Sequence, residues 1–165
     1  MIRIGKIVIG RLDIAGGEFT YGQRIALGEI LGDETRSEYQ RLKDAFRELY
    51  GYSCRLLLPG RRVQAFARIV AGISEWVEKE QKLLCYEPTA DELAAGIREL
   101  SRRVGDLSTI KALAKAYSHD PDEVLCWDYA KVFGILYTDL EERKFEDKYS
   151  KVIHDRYSGR HKGGA

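Results

Sequence analysis

The sequence predicts a mainly α protein: a multi-helix domain with a small β element at its N-terminus. Three observations predict it. Apolar residues recur at three- and four-residue spacing through most of the chain between Thr20 and Tyr157. Helix punctuation brackets those runs, with Thr20, Asp33, Thr89 and Asp120 as starts and Gly51 and Gly105 as stops. Strand-like alternation is confined to the first residues, where Ile2, Ile4, Val8, Leu12 and Ile14 fall in step and Ile7-Val8-Ile9 is β-branched throughout.

Taken in order, residues 2–14 read as one strand, and Ala15-Gly16-Gly17 breaks it. Residues 1–19 are thus an N-terminal β segment with a glycine-rich linker. A single strand leaves backbone donors and acceptors unpaired. The expected partner is the Arg-Leu-Leu-Leu run at 55–58 or a strand of a second copy. The run is too short to pair along the whole segment, which points to homo-oligomerisation through the N-terminal strand.

Thr20 caps a helix reaching about Leu31. Asp33 opens the next, in which Tyr39, Leu42, Phe46, Leu49 and Tyr50 form a stripe. Pro59-Gly60 reads as a turn. Arg61 begins the longest uninterrupted helical pattern, with Val63, Phe66, Val70, Ile73, Val77 and Leu84 in step and Ile69, Trp76 and Leu83 widening the face. Glu87-Pro88 ends it. Thr89 and Glu92 have capping-box spacing, followed by Leu93, Ile97, Leu100 and Val104 on one side.

Residues 108–117 form a helix with Ile110, Leu113, Ala114 and Tyr117 on one face. After a tight break, Asp120-Pro121 heads a helix carrying Leu125, Tyr129, Val132 and Leu136. Thr138-Asp139 either caps a further helix to Tyr157 or only kinks a continuing one. Residues 20–157 are then the helical domain, and 158–165 a flexible basic tail.

The 165 residues suit one domain with an appendage, and a net charge of +1 exerts no global pull toward nucleic acid or anionic membrane. Charge is uneven locally. Residues 108–147 hold five basic and nine acidic side chains, whereas 148–165 hold five basic and one acidic. Cys54, Cys85 and Cys126 match no metal or redox spacing and read as buried thiols in a reducing compartment. No signal-peptide pattern and no membrane-length apolar run is evident, so the expected location is cytoplasmic and no membrane partner is expected.

Chemistry-bearing motifs are sparse. His119, His154 and His161 form no ligand pair, and no nucleophile elbow or phosphate loop occurs. The expectation is no enzyme, no cofactor and no metal. Helix, short turn and helix across 108–137 do have the outline of a helix-turn-helix, and a nucleic-acid-binding regulator is the alternative reading. Against it, the second helix begins Asp-Pro-Asp-Glu and carries one basic residue, Lys131, whereas a recognition helix meets phosphates with positive charge. No specific nucleic-acid partner is expected. Trp127, Tyr129, Phe133 and Tyr137 form an aromatic group that reads either as packed core or as a protein-binding surface.

From Ala112 to Leu125, and on through Trp127-Asp128-Tyr129-Ala130-Lys131-Val132-Phe133, the chain resembles phage tail assembly chaperones. In that family a short helix ending in an aromatic precedes Pro-x-Glu-Val/Leu-Leu and a helix with an aromatic and aliphatic inner face. The later acidic-to-basic helix suits it too. The resemblance covers about a quarter of the chain. It implies a non-catalytic, helical phage or prophage protein that binds other tail proteins, such as tape-measure and tube proteins, during assembly. The residues it transfers as elements of the motif, and as a protein-binding set, are Pro121, Glu123, Leu125, Trp127 and Tyr129.

Overall fold

The computed structural model describes the backbone of residues 2–4, 7–9 and 11–160, and the side chains of 11–157. The chain is mainly helical. Among the described residues, two short strands, Ile2–Ile4 (β1) and Ile7–Ile9 (β2), precede eight α-helices: Tyr21–Gly32 (α1), Glu38–Tyr50 (α2), Pro59–Leu83 (α3), Ala90–Ala94 (α4), Ile97–Val104 (α5), Asp106–Tyr117 (α6), Pro121–Leu125 (α7) and Tyr129–Arg160 (α8).

The N-terminal segment departs from the single strand expected over 2–14. β1 and β2 pair antiparallel with each other, Ile2 opposite Ile9 and Ile4 opposite Ile7. The remainder leaves the sheet because the helices take its side chains: Leu12, Ile14 and Phe19 are buried in the same cluster as Leu27, Phe46, Leu49, Ile69 and Val132. The proposed strand partner at 55–58 is not a strand. Ser53 caps a single 3-10 turn, Cys54–Leu56, which buries Cys54 and turns Leu56 outward.

The glycine-rich stretch is a tight turn held against the core. The Gly17 N–H bonds the Ile14 carbonyl at 3.0 Å, and the Trp76 indole N–H of α3 donates to that same carbonyl at 2.8 Å. Gly17 has φ of +80°, and a Cβ there would stand 2.9 Å from the Ala130 methyl and 3.0 Å from the Trp76 ring. Only glycine meets both demands without strain.

Thr20 caps α1 through a reciprocal box with Gln23. Asp33, expected to open α2, instead closes α1 and takes the Thr35 N–H at 3.0 Å. Ser37 caps α2, because Gln40 stands three residues on and completes the box. Gly51 ends α2 in the left-handed conformation at φ of +76°. Pro59 and Gly60 are not a turn but the first residues of α3, where proline suits a position with no N–H partner.

The buried face of α3 is Ala65, Ile69, Gly72, Ile73 and Trp76, whereas Val63 and Val70 face water. Beyond α3, Gly96 at φ of +84° splits the expected 89–104 helix into α4 and α5, neither of which buries a residue. The longest helix is α8, not α3. It runs without interruption through Thr138, whose hydroxyl donates to the Gly134 carbonyl at 3.0 Å as a mid-helix side-chain bond rather than a cap. Its backbone carries on through Arg160, and residues 161–165 of the expected basic tail lie outside the described residues. Of the three cysteines, expected to be buried, Cys54 is buried and Cys85 and Cys126 are exposed.

Candidate functional site

The corner made by α6, α7 and the start of α8 contains all five residues singled out by the sequence. α6 ends at Ser118, which adopts the left-handed conformation (φ 55°), and both Ser118 and His119 donate their N–H to the Ala114 carbonyl. Asp120 then caps α7, accepting the Asp122 N–H at 2.9 Å, and Pro121 takes the first helical position. Glu123 reaches back to the Asp120 N–H at 3.3 Å and to His119 Nδ1 at 2.7 Å. The His119 bond, then the backbone bond, holds the Glu123 carboxyl below the usual carboxylate range.

The sequence expectation of one helix from Pro121 onward does not hold. α7 ends after five residues, and Cys126, Trp127 and Asp128 separate it from α8. The cause is a strand-like bridge between Thr20 and Asp128. The Tyr21 N–H donates to the Trp127 carbonyl at 2.9 Å, and the Tyr129 N–H donates to the Phe19 carbonyl at 2.8 Å. These bonds bind the entry of α1 to the entry of α8, and they use backbone groups that a continuous helix would have kept for itself.

The bridge also divides the five residues. Tyr129 turns inward, stacks on Phe19 at 5.3 Å and meets the edge of Trp76 at 5.0 Å. Its hydroxyl donates to Glu80 of α3, and Arg24 of α1 grips the same carboxylate with Nε at 2.7 Å and with Nη2. Burial first, then the hydrogen bond to Glu80, raises the Tyr129 hydroxyl far above its ordinary value. Both Glu80 oxygens are engaged from within, so the trio clamps three helices together beneath an open cleft of about 730 Å³.

Trp127 turns outward and is half-buried. Lys131 Nζ sits 4.4 Å above its ring, and the Tyr117 and His119 rings meet it edge-on at 5.6 and 5.3 Å. Leu125 is half-buried against α1, with its carbonyl 3.1 Å from where a Gly22 Cβ would stand. Pro121 and Glu123 are exposed at the cap. Of the five residues, Pro121 and Glu123 are therefore exposed and Trp127 partly so.

Sequence reading missed two features. The Arg24–Glu80 clamp joins residues 56 positions apart and has no local signal. The second is apolar surface in water. Phe145, Tyr149, Val152 and Tyr157 on the outer part of α8 are exposed, as are Leu93, Leu100 and Leu107 along α4 to α6. Three-and-four spacing marks these positions as one-sided, but does not say which of them the fold leaves uncovered.

Among the described residues, no group of three or more potential ligands could hold a metal ion. No described helix is long and apolar enough to cross a membrane. Compared with protein-family models, curated proteins and solved structures, the chain matches none.

Proposed function

We propose that this chain is a non-catalytic, protein-binding phage or prophage protein of the tail assembly chaperone kind, working in the cytoplasm on tail or tape-measure proteins. On this reading residues 20–157 are the binding domain and the N-terminal strand pair is its small β element. The observation that carries it is apolar surface left in water on two helical stretches. Phe145 is 67% exposed and Tyr149 59% on α8, and Leu100 is 55% and Leu107 62% exposed on α5 and α6. Aromatic and aliphatic groups displayed along helices suit a protein partner, which supplies the missing cover. Pro121, Glu123 and Trp127 add a further accessible element at the α6–α7 corner, while Leu125 and Tyr129 pack inward. The five-residue α7, headed by Asp120, Asp122 and Glu123, offers carboxylates where a recognition helix offers cations.

Co-expression with the tape-measure and tube proteins of the same tail gene cluster tests the reading. A complex should co-purify, and paired changes Phe145→Asp and Tyr149→Asp should abolish it without moving the melting temperature. Neighbouring genes with no tail function, or no complex with any tail protein, would overturn the phage assignment.

A further inference from the structure

The side of the molecule formed by α2, α3 and the chain leading into the core holds a second concentration of chemistry. Arg11, Arg61 and Arg68 line one recess of about 330 Å³ between the ends of α2 and α3. Phe46, Tyr50 and Tyr52 form its aromatic wall, and Gln64 completes the polar rim. Among the described residues no carboxylate lines it. Among the described residues none of the three guanidinium groups is within ion-pair distance of an acidic side chain.

Two buried polar atoms in the same recess lack partners. Tyr50 is 3% exposed; the Leu12 N–H approaches its oxygen without reaching good hydrogen-bond geometry, and its own proton finds no acceptor, with Arg68 and Arg11 close by. The Arg68 Nε is also buried without a bond. A buried donor left unsatisfied costs about 1–3 kcal/mol, so natural folds keep few of them, and those retained call for a cause. Arg11 and Arg68 also face a neighbouring cleft that contains Asp13 and Glu75. Those carboxylates are engaged elsewhere, Asp13 with the Gly16 N–H at 3.0 Å and Glu75 with Lys79 at 2.8 Å.

We infer that this recess is a binding site for the phosphate group of a small ligand, held by Arg11, Arg61 and Arg68 with the Tyr50 hydroxyl as a fourth donor. The guanidinium fork matches phosphate oxygens two at a time, and three such groups converging on one volume exceed what a singly charged carboxylate needs. The site uses neither the aromatic corner nor the exposed faces of α5 and α8. An anion bound there would also relieve the mutual repulsion of three uncompensated cations, and would tie the chain entering the core at Arg11 to α3.

Calorimetric titration of the full chain with pyrophosphate and with inorganic phosphate, at matched ionic strength, tests the inference. Pyrophosphate should bind at one site, more tightly than phosphate, and raise the melting temperature in a concentration-dependent way. Arg68→Gln should weaken binding at least about tenfold, the scale of one lost charge-assisted bond. Tyr50→Phe should weaken it several-fold while leaving the melting temperature of the free protein unchanged or higher, because it deletes an unsatisfied hydroxyl. A Tyr50 hydroxyl with a purely structural role would instead lower that temperature, and such a result overturns the inference. So does the absence of saturable binding, equal binding by Arg68→Gln, or binding of an oligonucleotide without binding of pyrophosphate.

Discussion

Replacing Gly72 by alanine puts two opposed effects into one methyl group. Gly72 is buried in the interior of α3, where alanine in place of glycine contributes roughly 0.5–1 kcal/mol through the unfolded chain. Against this, the new Cβ would stand 2.7 Å from Ile14 Cγ2, 2.8 Å from Ile14 Cβ and 3.3 Å from the Ala15 nitrogen. Ordinary carbon contacts lie at about 3.5–4.0 Å. Ile14 cannot yield easily. Its branched side chain is stiff at χ1, it is 3% exposed, and its carbonyl takes bonds from both Trp76 and Gly17. Overpacking of this kind costs about 1–3 kcal/mol, so the clash wins and Gly72→Ala should lose about 1–2 kcal/mol net.

Gly134 of α8 supplies the matched control, since a Cβ there meets nothing within 4 Å. Gly134→Ala should therefore gain about 0.5–1 kcal/mol. Urea unfolding of the two variants reads the difference directly, with unchanged slopes showing that only stability moved. The same chemical change should shift the midpoint in opposite directions. If both variants gain equally, Ile14 does not rest on α3, and the docking of the 11–19 segment is wrong.

Two further outcomes follow from the clamp at Glu80. Tyr129→Phe removes one donor to a carboxylate while keeping the ring, and should cost about 1–3 kcal/mol in urea unfolding; a neutral result would show that the hydroxyl does not reach Glu80. Alkaline stability is the other outcome. Burial, then the nearby Asp106 carboxylate, pushes the Tyr21 hydroxyl up to about 12, and Tyr129 is raised in the same direction. Above about pH 10 the unfolded chain releases protons that the folded chain retains, so stability should fall as pH rises from about 10 to about 12. Tyr21→Phe should flatten that fall, and an unchanged slope would contradict the assignment.

The sequence declared its helices through caps and spacing, and it was silent wherever a distant backbone intervened. Thr20-x-x-Gln23, Thr89-x-x-Glu92 and Asp120-x-x-Glu123 are local devices, and each caps the helix it precedes. Asp33 misled because two caps lie close together, and the box at Ser37 and Gln40 is the better one. The break at Trp127 has no strong local signal. Leu125, Tyr129, Val132 and Leu136 keep helical step across it, and only pairing with Phe19 and Tyr21, more than a hundred residues away, interrupts the helix. The candidate corner was legible as a motif, but its division into an inward Tyr129 and an outward Trp127 depends on that same long-range bridge.

That bridge also explains how α8 serves two ends. Its first turns bury Tyr129 and Val132 and pack Phe133, Ile135 and Leu136 on the core, so this end is fixed by α1, α3 and the 11–19 segment. From Glu141 to Tyr157, Ile153 alone is even partly covered among the described side chains. At about 1.5 Å per residue that stretch is roughly 25 Å long, and its Arg143, Lys144 and Asp147 lie within electrostatic range of Cys85, Tyr86 and Glu92. Helix stability in water comes mostly from a packed face, which this stretch does not have within its own chain. Its acidic first part, through Asp147, contains Phe145 and its basic part from Lys148 contains Tyr149, so charge and apolar surface are displayed together. Changes near Tyr129 should therefore act on folding, whereas changes at Phe145 or Tyr149 should leave folding alone and, on the proposed function, weaken association. The two energies are separable because few contacts connect the outer helix to the core.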